Sequence, residues 1–110
     1  MLGHYVFFQL EDSSQDAVEQ LVQSAETLLS HSDGIVFFAC GKRTADLTRA
    51  VNDTQFEVGL QIVFRDRAAH DSYQEAPEHL EFIEKNKTNW AQIRVFDIDL
   101  PSHHAPSSTA

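Results

Sequence analysis

Tyr73 and His79 are the residues of this sequence best suited to chemistry. They flank Pro77 within the stretch Phe64–Ile83, FRDRAAHDSYQEAPEHLEFI. A neutral imidazole can take a proton from a carbon acid or a phenol near neutral pH. A tyrosine hydroxyl can orient that acid or stabilise the enolate that forms. Neither group needs a cofactor, and none is expected. Apolar walls would lower the pKa of His79 and keep it a base. His4, on an apolar strand face, is a third candidate for the same pocket. The competing reading is structural: His79 bonds a carbonyl beside the proline break, Tyr73 packs a helix on a sheet, and His4 is a satisfied core residue.

A small set of elements must position these side chains. Gly3–Glu11 reads as a strand, with Val6, Phe8 and Leu10 on the face of His4, and Tyr5 and Phe7 on the other. Asp12, Ser13 and Ser14 are N-cap residues, and Ser13 with Asp16 has the spacing of a capping box. Ala17, Val18, Leu21, Val22, Ala25, Leu28 and Leu29 then recur as the buried stripe of a helix of about five turns. Asp33-Gly34 signals a turn. Ile35–Lys42 is a second strand, apolar on both faces, and Arg43–Thr54 is a polar loop. From Gln55 to Phe64, Phe56, Val58, Leu60, Ile62 and Phe64 alternate on one face of a third strand. Gly59 on the opposite face lets a neighbour approach the sheet closely. Asp66 caps a helix carrying Ala69 and Tyr73. Pro77 ends that helix or opens the next, because it cannot donate a backbone hydrogen bond. Glu78–Asn89 restarts, burying Leu80 and Ile83 with Phe82 alongside, and Gln92–Leu100 is the last strand.

The order is β-α-β-β-α-β. It predicts an α+β, ferredoxin-like fold: a four-stranded antiparallel sheet with its helices on one face. The strands are apolar on both faces, so the uncovered face calls for a second copy, giving a homodimer in the form of a dimeric α/β barrel.

The chain of 110 residues is one domain, residues 1–100, followed by a tail at 101–110 that is expected to be disordered. A formal net charge of −9 argues against nucleic acid and against anionic membrane surfaces. No apolar run has the length of a membrane span, and the first residues do not read as a signal peptide. The single cysteine, Cys40, cannot form an internal disulfide; it reads as an inert buried thiol in a reducing, cytoplasmic setting. No metal site is expected. His31 and His70 read as solvated helix residues, and His103-His104 is too short a tract to hold an ion. Asp97 and Asp99 read as a hydrogen-bonded surface or interface pair.

These residues resemble the stress-responsive A/B barrel domains over roughly residues 3–100. The resemblance is carried by His4-Tyr5-Val6-Phe7-Phe8, Gly41-Lys42, Ile62-Val63-Phe64, and Tyr73 followed by Pro77-Glu78-His79-Leu80-Glu81-Phe82, with Val95-Phe96-Asp97 near the end. It implies a dimeric barrel with a small-molecule pocket between helices and sheet, lined by His4, Phe8 and Val58. One plant member, olivetolic acid cyclase, is a cofactor-free polyketide cyclase whose pocket Tyr and His have the spacing of Tyr73 and His79, and whose first-strand His matches His4. Two positions depart from it: Val58 stands where the cyclase has a third pocket histidine, and Ala76-Pro77 where it has His-Pro. Three functions follow. The first is non-catalytic binding of a small apolar or phenolic ligand. The second is cyclase- or lyase-type catalysis by His79 and Tyr73. The third is a cofactor-independent monooxygenase of the related antibiotic-biosynthesis type.

Overall fold

Strand-period alternation builds the sheet. In the computed structural model, which describes residues 1–101, four strands pair antiparallel in the order β2-β3-β1-β4. They are β1 (Leu2–Leu10), β2 (Ile35–Lys42), β3 (Val58–Phe64) and β4 (Trp90–Asp99). The helices are α1 (Gln15–Leu29), α2 (Arg67–Glu75) and α3 (Pro77–Asn86), with a 3-10 turn at Lys87–Asn89. This is the expected ferredoxin-like α+β arrangement. The tail from Ser102 onward, with His103 and His104, lies outside the described residues.

α1 and α2 start at side-chain caps that the sequence supplies, and α3 starts at a proline. Ser14, one residue later than the expected Ser13, accepts a hydrogen bond from the Ala17 amide at 3.3 Å. The helix it opens has 15 residues, nearer four turns than five. Asp66 accepts from the Ala69 amide at 2.8 Å to start α2. Ala76 is extended, the conformation that a following proline imposes, and Pro77 is the first residue of α3. The break between α2 and α3 is therefore written into the chain.

The core lies between the helices and one sheet face. Leu2, Val6, Phe8 and Leu10 of β1 meet Val58, Leu60, Ile62 and Phe64 of β3, with Val18, Leu21, Ala25 and Leu29 of α1 above them. Gly34 has φ +88°, in the left-handed region, and a Cβ there would lie 2.5 Å from that of Ala69. Only glycine both makes the turn into β2 and lets α2 come this close.

Two expectations are corrected. Phe56 does not continue the β3 alternation, because the strand begins only at Val58. The Phe56 ring instead meets Phe7 edge to face, 5.0 Å between centroids, and both rings lie over Gly59 on the face without helices. They are the close neighbours that Gly59 admits. Leu80 is exposed, whereas Phe82 is buried and Ile83 half-buried. Residues two apart on a helix point to nearly opposite sides, so burying Phe82 turns Leu80 outward.

The helix-free face carries Phe37, Phe96 and Ile98, all exposed in the single chain. No helix of the described residues is long and apolar enough to cross a membrane.

Candidate functional site

The site forms where the α2–α3 break passes over β1 and the edge strand β4. His4 sits on the helix-facing side of β1 and is 5% exposed. Its register partner on β4 is Asp97, and His4 Nδ1 lies 2.6 Å from Asp97 Oδ1. The expected Asp97–Asp99 pairing is thus replaced by a buried imidazole held by a half-exposed carboxylate. Tyr73, near the end of α2, is buried with its ring 5.0 Å from Phe64 and 6.0 Å from His4. His79, in the first turn of α3, packs against Tyr73 with the ring centroids 4.7 Å apart and the planes tilted by 59°. The proline break thus brings Tyr73 and His79 together and sets both near His4.

His70 is not a solvated helix residue. Its side chain is 15% exposed, its ring is 5.2 Å from His4 and 5.6 Å from Phe64, and its Nδ1 is 3.0 Å from Asp71 Oδ1. His70 and Tyr73 are three apart on α2 and share a face, so burying Tyr73 carries His70 inward. The helical spacing was the available signal for His70. Nothing local marked Asp97 as the partner of His4, since that contact depends on the β1–β4 register.

Burial sets the protonation of the central pair. It pushes the Tyr73 phenol up, with a smaller push from Cys40, so the hydroxyl stays protonated and can donate. Burial also pulls His79 down from its ordinary 6.5; the Gln74 carbonyl, an acceptor for the ring, acts the other way, and His4 and His70 add to the lowering. His79 is therefore neutral near pH 7. Its Nδ1 is buried with no hydrogen-bond partner, as is Trp90 Nε1.

These groups border a cavity of about 340 Å³, within the usual size of small-molecule sites. His4, Phe8, Tyr73, His79 and Trp90 form its floor and walls, and Ile93, Val95 and Asp97 form its mouth at the β4 edge. Val58 is not in the lining. It is fully buried in packed core, and Leu60 is the β3 residue that reaches the cavity. A larger groove of about 810 Å³ between α1 and the Lys42-Arg43 end of β2 contains no histidine or tyrosine. Cys40 is half-buried, and burial pushes its thiol up to about 12, which leaves it unreactive.

The family model of the stress-responsive A/B barrel domain matches residues 2–100. The chain belongs to this family. Solved structures share the barrel-domain fold at low identity. A protein of Arabidopsis thaliana is 19% identical, covers 96% of this chain and 100% of its own, and superposes with a TM-score of 0.76. A dimeric ferredoxin-like protein of unknown function from Thermobifida fusca is 16% identical over 90% of each chain, with a TM-score of 0.75. A hydroxynitrile lyase from Passiflora edulis is 20% identical over 94% of this chain and 96% of its own, with a TM-score of 0.73. No curated protein sequence matches this A/B barrel domain.

Proposed function

We propose that this domain works as a homodimer and binds a small, largely apolar molecule carrying a phenolic hydroxyl, in the cavity between helices and sheet. The carrying observation is the partnerless Nδ1 of His79 beside Tyr73, in a cavity whose lining is mainly apolar and aromatic. A buried acceptor without a donor costs about 1–3 kcal/mol, and a phenol O–H would satisfy it while its ring meets Phe8, Tyr73 and Trp90. His4, Phe8, Tyr73 and His79 are then the ligand contacts. Val58 belongs to the packed core and does not reach the cavity. The exposed apolar sheet face supports the dimer, and the Thermobifida fusca neighbour is described as dimeric.

The probe is 2-naphthol, titrated by calorimetry. One molecule per chain is expected. Replacing the hydrogen bond through His79→Ala weakens binding about three- to tenfold, the size of one hydrogen bond. Val95→Trp, at the exposed mouth, blocks it. Binding that ignores both substitutions overturns the reading. The pH dependence has a fixed sign. The folded pKa of His79 lies below 6.5, so the neutral acceptor is present above that pH. Affinity is flat from there up to the pH at which the phenol itself ionises, and on the acid side it falls as pH drops through the lowered pKa. The groups facing His79 are Tyr73 and His70 from α2, His4 from β1 and Asp97 from β4.

A second reading is favoured by the same nitrogen. A neutral, unpartnered imidazole beside a protonated phenol is also an acid–base pair for abstracting a proton next to a carbonyl. Acetophenone in D2O checks it by NMR. Methyl deuteration above the buffer rate, lost in His79→Ala and reduced in Tyr73→Phe, is the expected result. Exchange at the buffer rate in the unsubstituted protein removes catalysis of this kind.

A further inference from the structure

We propose that His4, His70 and Asp97 form a binding site for a divalent transition-metal ion of the zinc class, at the cavity's β4 end. One ligand atom from each of the three residues lies within 4.8 Å of the other two. The three come from three elements, β1, α2 and β4. Zinc-class ions bind imidazole nitrogen and carboxylate oxygen at roughly 2.0–2.2 Å, which sets ligand atoms about 3 Å apart. His4 Nδ1 and Asp97 Oδ1 are already 2.6 Å apart. An ion would replace the proton they share, with a small opening of the pair.

The outer shell fits as well. Metal-bound histidines usually hold a carboxylate on the nitrogen that does not ligate. His70 Nδ1 meets Asp71 at 3.0 Å, which leaves Nε2 for the ion, and Arg67 holds the same carboxylate at 2.9 Å. Two nitrogens and one oxygen suit a borderline ion such as Zn²⁺ or Co²⁺ better than Mg²⁺ or Ca²⁺, which take oxygen ligands. All three side chains also border the 340 Å³ cavity, so the remaining coordination positions face the space where a ligand would sit. An open position is the mark of a site that binds or activates a ligand rather than one that only braces the fold.

This inference goes beyond the proposed ligand reading and is tested without any organic ligand. The full chain, stripped with chelator, is titrated with Zn²⁺ against a chromophoric competitor and with Co²⁺ by visible absorption. One ion per chain is expected, with the absorption of a low-coordinate Co²⁺ site. His70→Ala and Asp97→Asn should each weaken binding at least about tenfold. Asp71→Asn, on the exposed side of α2, should weaken it roughly ten- to a hundredfold. It keeps the test decisive if a substitution in the core fails to fold. His31→Ala and the paired His103→Ala/His104→Ala variant should bind as the unsubstituted chain does. Affinity that survives His70→Ala and Asp71→Asn, or that disappears with the tail pair, overturns the proposal. A failed 2-naphthol titration leaves the metal result unaffected, so the two readings fail separately.

Discussion

Phe64→Ala is expected to destabilise the domain by about 3–5 kcal/mol, the cost of emptying a buried phenylalanine site. Phe64 is the last residue of β3 and has no exposed surface. Its backbone pairs with Leu2 on one side and Ile35 on the other, so it sits at the closed end of the central strands. Its ring lies 5.0 Å from Tyr73, 5.6 Å from His70 and 6.2 Å from His4. The ring is therefore the floor on which three polar site residues rest, and no nearby side chain can fill its place without moving one of them. Domains of this kind have only about 5–15 kcal/mol in total, so the substitution removes a large share of the stability. Urea denaturation followed by circular dichroism measures it, and the melting temperature should fall by roughly 10–20 °C. Phe64→Leu keeps most of the volume and should cost much less. A loss below about 1 kcal/mol for Phe64→Ala would mean that the α2 end of the core is not packed as described.

The same residue shows which parts of the fold are legible in the sequence. Phe64 closes a run of alternating apolar residues, and strand periodicity places Val58, Leu60, Ile62 and Phe64 on one buried face without any tertiary knowledge. Pro77 likewise fixes the break between α2 and α3 by local chemistry, and with it the meeting of Tyr73 and His79. The failures occur where local pattern leaves a choice. Phe56 extends the alternation on paper, but the chain leaves the strand there and the ring packs edge to face on Phe7. Leu80 and Phe82 compete for one inward position, and only the packing on Phe8 and Trp90 decides for Phe82. His70 and Asp97 are invisible for a stronger reason. Their roles exist only once α2 crosses β1 and once β4 takes its register, bringing together residues 93 positions apart in the case of His4 and Asp97. Val58 shows the converse error: a position aligned to a pocket residue elsewhere is sealed in this core.

Phe96→Asp is expected to convert a dimer into a folded monomer. Phe96 lies on β4, its side chain on the face opposite Asp97 and the cavity, and it is half-exposed in the single chain. Phe7 links it to Phe56, at 5.9 Å and 5.0 Å, and Phe37 and Ile98 extend the exposed apolar surface. In a two-fold dimer each substitution acts twice. Each Phe96 side chain lost from the interface is worth at most about 1.5–3 kcal/mol, and a carboxylate buried without a partner adds several kcal/mol more. The dimer dissociation constant should therefore rise by a factor of about a thousand or more, each 1.4 kcal/mol being tenfold. Sedimentation velocity reads the change directly. Because Phe96 is outside the helix-covered core, the far-ultraviolet spectrum should be kept. A monomeric unsubstituted protein at tens of micromolar, or a dimer that survives Phe96→Asp, would sink the assignment of this face. The cavity supplies the link between assembly and function. The cavity lies across the sheet from the proposed interface, since Val95 and Asp97 of its mouth point to the face opposite Phe96. Monomeric Phe96→Asp should therefore still bind one 2-naphthol per chain. Loss of that binding along with the dimer would show that the partner copy holds the β4 edge, and with it the mouth formed by Ile93, Val95 and Asp97, in its binding shape.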